Sequence, residues 1–251
     1  MSESPPALSA GIASGRSDDA PRLWRDRLGS ASGGSVEVLF VGRGAPRDAQ
    51  AALALLEPSP PRIVWAQQIH SDRVLPAGSG DAGGSCGEGD ALITAEADLA
   101  LCVVTADCVP VLLAGAGADG IPHLAAAHAG WRGIAADILA KTLEALPIPA
   151  PQLTAWIGPA IGPCCYEVGT DVADQVQAAA GPSVVHARPG AKPHLDLPAA
   201  AELQLRRRGV EIIHRVGPCT RCSPDDLWSY RREGAGAGRN LAFIWRRSQE
   251  A

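Results

Sequence analysis

The stretch ALITAEADLALCVVTADCVPVLLAG, residues 91 to 115, reads as apolar strands interrupted by the polar turn TADC at 105 to 108. Short apolar runs bounded by turn chemistry are the mark of buried strands. To its left, VEVLFVGRG (36 to 44) alternates like a strand and ends in glycines. RDAQAALALLEP then predicts a helix stopped by Pro58, and RIVWAQQIHSDRV carries a further strand into polar residues. To its right, HLAAAHAGWRG is a strand closed by Gly130. IAADILAKTLEAL, residues 134 to 146, sets Ile134, Ile138, Thr142 and Leu146 four apart with Leu139 and Leu143 beside them, which predicts one amphipathic helix ended by Pro147. LTAWIG is again strand-like. TDVADQVQAAAG predicts a helix capped by Thr170 or Asp171 and closed by Gly181, and LPAAAELQLRRRG repeats that grammar from Pro198 to Gly209. VEIIHRVG and LAFIWR complete the strands. Strands and helices mix along the whole length without a strict βαβ repeat, an internal repeat or a linker. The expectation is one α/β or α+β domain over residues 21 to 251. Residues 1 to 20, rich in Ser, Pro, Gly and Ala without periodicity, read as a flexible tail.

Composition narrows the class. Hydrophobic residues make up 46% and charged residues 20% of the 251, as in soluble globular proteins, and no apolar run reaches the length of a membrane span. The N-terminus lacks a basic stretch followed by an apolar one, so no secretory signal is read and cytoplasmic residence is the default. Seven cysteines, an odd number in such a chain, argue for free or metal-bound thiols over a complete disulfide framework. A net charge of -5 gives no global pull towards nucleic acid.

Three readings of Cys108 follow from its surroundings: core filling, a nucleophile, or a metal ligand. His70 in QQIHSD and His128 in AAAHAGWRG stand at the polar ends of apolar segments, where side chains emerge from a core into a cleft. With Cys108 they make a His/Cys/His set that suits zinc, leaving a fourth position for water or substrate. The competing reading activates the Cys108 thiol through His128 or His70, with Asp107 or Asp90 orienting the base, and needs a lowered thiol pKa. Asp90 and Gln68 are candidate substrate contacts or supports of the site, with local turn capping as the alternative. CTRC at 219 to 222 has no partner pair of the same spacing, so a redox motif or a structural zinc ribbon there ranks below packing thiols as the reading of Cys164, Cys165, Cys219 and Cys222. GAGADG (115 to 120) fits GxGxxG but leads into a strand where a dinucleotide site requires a helix, so that site is rejected. Arg231, Arg232 and Arg239 cluster among glycines, and Arg43 ends a strand. Such guanidiniums fork onto phosphate oxygens.

QQIHSDRV, GDALIT, TADCVPVLL, AAAHAGWRGI, IGPAIGPCCYEV and CTRCSPDDLWSYRRE with GRN, in this order, resemble the YfiH-like family, also called the polyphenol oxidase or laccase-domain family of purine nucleoside phosphorylases. The resemblance covers roughly residues 36 to 246. It implies a single α/β domain with layered mixed sheets between helices, an α/β/β/α sandwich, and zinc on residues matching His70, Cys108 and His128. It further implies phosphorolysis of adenosine, inosine, guanosine and S-methyl-5'-thioadenosine with inorganic phosphate as co-substrate, and deamination of adenosine. On this basis Arg43 and Arg232 are expected to hold phosphate, Gln68 to contact substrate, and Asp90 to act in catalysis. Copper-dependent phenol oxidation fits less well, since the chain has no HxH pair and one methionine. A cysteine hydrolase of amide bonds, as in cell-wall precursor editing, and a non-catalytic metal-binding module are the alternatives from other classes. Small-molecule nucleosides and phosphate are the expected partners, not nucleic acid or membrane.

Overall fold

The computed structural model describes residues 21–29, 35–81, 83–117 and 120–248. The tail expected over residues 1 to 20 lies outside them. In chain order the strands and helices are β1 (Leu23–Gly29), β2 (Ser35–Val41), α1 (Ala49–Leu56), β3 (Arg62–Gln67), β4 (Val74–Pro76), β5 (Gly84–Glu88), β6 (Ala91–Thr94), β7 (Leu99–Thr105), β8 (Val109–Ala116) and β9 (Pro122–Ala129). Then come α2 (Trp131–Ala135), α3 (Ile138–Ala145), β10 (Thr154–Ile157), α4 (Thr170–Ala180), β11 (Val185–His186), β12 (His194–Leu195), α5 (Leu197–Arg207), β13 (Ile212–Arg215), α6 (Tyr230–Glu233) and β14 (Asn240–Arg246). No helix among the described residues is long and apolar enough to cross a membrane.

Two mixed six-stranded sheets carry the fold, one ordered β1-β2-β14-β7-β3-β5 and the other β13-β10-β8-β9-β6-β4. Strand period 2 explains how they stack. On β8, Leu112 and Ala114 face the core between the sheets, while Val111 and Leu113 face the helices. On β7, Leu99, Leu101 and Val103 face the inter-sheet core, while Ala100 and Cys102 pack with Leu53 of α1 on the outside. Helices α2 to α5 cover the second sheet through Ile134, Ile138, Leu139, Val176 and Leu205. The result is a single mixed α/β domain layered helix, sheet, sheet, helix, and β7 and β8 are buried along most of their length because both faces are covered.

The same stretch makes the crossing between layers: β7 lies in one sheet and β8 in the other, and TADC is the step between them. Asp107 takes a left-handed backbone there, with φ 95°. Pro110 lies in β8, a central strand of its sheet. It is tolerated because the ladder of β8 with β10 begins one residue later, at Val111.

Several expectations are corrected in detail. The helix expected over 134 to 146 is two, α2 and α3, broken at Asp137, whose φ of 60° is left-handed. Aspartate is among the few residues that visit that region readily, and its carboxylate is held by Arg208 at 2.7 Å. The buried face survives the break, because Ile134, Ile138, Leu139 and Thr142 all remain in the core. At α4 the cap is Gly169 rather than Thr170 or Asp171, with Asp171 inside the first turn, where a negative charge suits the helix dipole. Among the described residues no helix stands between β8, which ends at Ala116, and β9, which begins at Pro122. Strand β1 was not read because Asp26 falls among its inward positions. Its carboxylate is buried to accept the Trp156 indole N–H at 2.7 Å.

The inter-sheet core sets the stability of the whole. Leu112→Ala, at a fully buried position between the sheets, is expected to lower unfolding stability by about 2–5 kcal/mol in denaturant titration. Leu55→Ala, at a position 62% exposed, is expected to change it by no more than about 0.5 kcal/mol.

Candidate metal centre

Three elements end at one point. Cys108 sits on the step between the sheets, His128 near the end of β9 in register with Pro110, and His70 three residues beyond β3. The donor atoms of His70, Cys108 and His128 all lie within 4.8 Å of one another. The two imidazole rings stand edge to face, 4.8 Å between centroids. Close approach needs Gly130: a Cβ there would lie 3.1 Å from the Cys108 sulfur and 3.3 Å from the His70 ring.

Asp90 holds the histidines. Its carboxylate, 1% exposed as a residue, accepts the backbone N–H groups of Ile69 (3.3 Å), His70 (3.0 Å) and Ser71 (2.6 Å) and the Ser71 hydroxyl (2.7 Å), and pairs with His128 Nδ1 at 2.8 Å. Bonds to the 69–71 segment fix His70 in a left-handed backbone, φ 60°, that costs a non-glycine residue about 1–2 kcal/mol. With Nδ1 engaged by Asp90, His128 meets Cys108 through Nε2.

Electrostatics follow from that packing. Burial pushes the Cys108 thiol up, but hydrogen bonding and charge from His128 and His70 outweigh it and bring the pKa down to about 6. Burial disfavours a charged His128, yet Asp90 and Cys108 raise its pKa to about 9. Asp90 is driven upward by burial and more strongly downward by His128 and Ser71, to about 2. At neutral pH these shifts favour a Cys108 thiolate beside a protonated His128, backed by the Asp90 carboxylate.

A cavity of about 580 Å³ opens onto these residues, lined also by Gln68, Val104, Asp107, Tyr166, Tyr230, Arg231 and Arg239. Gln68 borders it, but both ends of its amide are bonded to the backbone of Val104, at 2.7 and 2.9 Å, so it stitches β3 to β7. Arg43 and Arg232 do not line the cavity. Arg43 lies 3.6 Å over the Trp228 ring and pairs with Glu233, while Arg232 donates to the carbonyls of Thr220, Arg221 and Leu227 and to Glu233. Their guanidiniums bind the chain to itself and stand outside the cavity lining. The cationic wall is Arg231 and Arg239, the other two arginines of the cluster. Asp107 is a hydrogen-bonding anchor, accepting the Thr220 hydroxyl at 2.6 Å and the Arg231 N–H at 2.7 Å. Cys164, Cys165, Cys219 and Cys222, expected to pack separately, are brought together.

A family profile described as multi-copper polyphenol oxidoreductase laccase matches residues 46–247. The chain belongs to this laccase-like family. Among family relatives, a purine nucleoside phosphorylase of Pseudomonas aeruginosa is 35% identical over 187 residues, covering 73% of this chain and 74% of its own. Purine nucleoside phosphorylase YfiH of Escherichia coli is 36% identical over 188 residues, 74% of each chain. Of solved structures in this laccase-like family, a Neisseria meningitidis protein superposes with a TM-score of 0.74 at 31% identity, over 88% of this chain and 99% of that one. YlmD from Geobacillus stearothermophilus gives 0.73 at 27%, over 94% and 99%.

Residues that the sequence alone did not place at the site include Ser71, Tyr166, Tyr230 and Gly130, the last read only as the end of a strand. Ser71 and Gly130 are direct neighbours of candidate ligands or one residue removed, and Tyr166 follows the cysteine pair, so adjacency was the available signal.

Replacing Asp90 with Asn removes the charge that all five contacts share. Asp90→Asn is expected to cost about 3 kcal/mol of stability by chemical denaturation and to weaken zinc binding by about 10- to 100-fold in competition with a chelator. The lowered thiol gives a second expectation, with the sign set by ionisation: Cys108 is a thiolate above its pKa. In chelator-treated protein, alkylation of Cys108 followed by peptide mass spectrometry is expected to rise through a midpoint near pH 6. In His70→Ala/His128→Ala the midpoint should rise to at least that of an ordinary thiol, about 8.5, since burial then acts without the histidines to oppose it.

Proposed function

We propose that the chain is a metal-dependent purine nucleoside phosphorylase acting on adenosine, inosine, guanosine and S-methyl-5'-thioadenosine, with adenosine deamination as a side activity. The observation that carries the metal reading is the strained His70. A nucleophilic cysteine needs one base, which His128 and Asp90 supply, whereas the fold bears an additional backbone strain to bring a second imidazole onto the same sulfur. Two imidazoles and a thiolate suit zinc, and the Asp90–His128 bond is the carboxylate support that zinc-bound histidines usually have. The ligand-bearing side faces the cavity, so the donor set fits an open site. Bound zinc would supply a Lewis acid at the cavity wall.

The purine reading draws on the relatives' names and on what lines the cavity. Its volume of about 580 Å³ lies within the range of small-molecule sites. Tyr230 offers an aromatic ring to a base, Tyr166 lines the cavity with the Arg231 guanidinium 4.8 Å over its ring, and Arg231, which donates to the Glu167 carbonyl at 2.7 Å, and Arg239 offer their remaining N–H groups to an anion. Arg239 spends one nitrogen on the carbonyls of Ala237 and Gly238, leaving the rest of its fork free among the described residues. In phosphorolysis a phosphate oxygen forms the new bond to the anomeric carbon as the carbon–nitrogen bond breaks and the purine leaves with its electron pair. The arginines would orient the phosphate and balance its charge while the cavity holds the ribose between phosphate and base. Asp90 is then a positioning residue, not one that touches substrate.

Copper oxidation would call for histidine-rich sites. Among the described residues the groups able to hold a metal are the two-histidine, one-cysteine set and the four cysteines. The second reading is a thiol nucleophile acting on an amide, favoured by the Cys108–His128–Asp90 array and its lowered thiol pKa.

Purified protein is expected to release hypoxanthine from inosine only when phosphate is supplied, to lose that activity on chelation and to regain it with zinc. Cys108→Ala should be inactive, and Arg231→Ala/Arg239→Ala should raise the KM for phosphate about tenfold or more, the equivalent of about 1.4 kcal/mol. Activity that survives metal removal and disappears with a thiol alkylator supports the nucleophile instead, and a protein inert towards nucleosides with zinc and phosphate present supports a non-catalytic module.

A further inference from the structure

Cys164 and Cys165 lie on the loop after β10, and Cys219 and Cys222 on the loop after β13, more than fifty residues later in sequence. Parallel pairing of β10 with β13 brings the two loops out at the same end of the sheet. The four sulfurs lie within 4.8 Å of one another, with Cys222 Sγ 3.3 Å from Cys165 Sγ and 3.5 Å from Cys164 Sγ. Four sulfurs placed tetrahedrally about 2.3 Å from one zinc ion stand about 3.8 Å apart. The observed cluster therefore needs only small side-chain adjustments to close on an ion. A single disulfide would leave two thiols unmatched, and pairing all four would take two disulfides, an outcome that zinc content separates from a bound ion.

The backbone around the cluster is arranged for thiolates. The Gly162 N–H donates to Cys219 Sγ at 3.3 Å, and a Cβ at Gly162 would lie 3.5 Å from both Cys164 Sγ and Cys219 Cβ, so the loop is already in contact with the turn across from it. The turn is held independently by the Thr220 N–H donating to the Ala160 carbonyl at 3.1 Å, and by Arg232 donating to the carbonyls of Thr220 and Arg221.

We infer that Cys164, Cys165, Cys219 and Cys222 form a second, structural metal site of the closed four-thiolate kind, taking zinc. Its place in the fold gives it a purpose. Thr220, between the cysteines of the CTRC turn, donates to Asp107, which precedes Cys108, and Tyr166, next to Cys165, lines the cavity. The ion would tie the loop that bears Tyr166 to the loop that bears Thr220, the Asp107 partner, and leads into α6. Four thiols lose their protons on binding, so occupancy falls with acid as well as with chelators.

The test is zinc per chain, by elemental analysis of full-length protein purified under reductant without chelator. Cys219→Ser/Cys222→Ser is expected to lose about one zinc per chain relative to wild type, while Cys108→Ala keeps that ion. This holds whether or not the first site takes zinc, so the two assignments fail separately. Unchanged zinc in the folded Cys219→Ser/Cys222→Ser protein overturns the inference, as does a disulfide among the four cysteines in intact, unreduced wild-type protein. Should the double variant not fold, Cys108→Ala loaded with cobalt decides. Strong thiolate-to-cobalt charge-transfer bands with tetrahedral ligand-field absorption support the site, and their absence overturns it.

Discussion

One buried carboxylate takes five contacts, and all of them come from the two segments that bear histidines. Asp90 accepts from Ile69, His70 and Ser71 on one side and pairs with His128 on the other. A hydrogen bond to a charged acceptor is worth about 1.5–3 kcal/mol, so two of them more than offset the roughly 1–2 kcal/mol of a left-handed His70. Without that carboxylate the 69–71 segment has no buried acceptor for its N–H groups, and the second imidazole has no reason to stay. The Asp90 backbone adds to the same junction, its carbonyl accepting the His128 N–H at 2.7 Å.

The layered fold explains why such a junction exists. A chain that steps from one sheet to the other between β7 and β8 exposes its turn at the rim of the inter-sheet core, where the ends of β3 and β9 also emerge. Cys108 is carried on that step and the histidines on those ends. Asp107 fixes the step through Thr220 and Arg231, so the loop after β13 and the short α6 are locked to the same point. Cavity and donor set are thus products of one crossing, and the arginines on the cavity wall arrive with the loop that steadies it.

What was readable in the sequence follows from how local each signal is. The apolar runs of β7, β8 and β9 and the face of α2 and α3 are periodic over a few residues, so their existence was legible even where the break at Asp137 was not. Asp90 was legible as a candidate support of the site, but its five contacts were not, because these join segments far apart in the chain. Arg43 and Arg232 looked like free guanidiniums beside glycines. Their engagement by Trp228, Glu233 and loop carbonyls is tertiary, and so is the exposure of Arg231 and Arg239 to the cavity. The four cysteines show the same limit from the other direction: CC and CxxC are unremarkable apart, and it is the parallel pairing of β10 with β13 that makes them a cluster. The resemblance to the laccase-like family conveyed the layered fold, which no count of strands alone would have fixed.

The central claim is that the junction organised by Asp90 is a metal centre on which turnover of purine nucleosides depends. Anomalous diffraction at the zinc edge, on crystals of protein shown to phosphorolyse inosine, tests it most directly. The account predicts a peak within bonding reach of Cys108, His70 and His128, lost together with activity in Asp90→Ala/His70→Ala. Active crystals with no metal at these three residues, or with a covalent substrate adduct on the Cys108 sulfur, would contradict it.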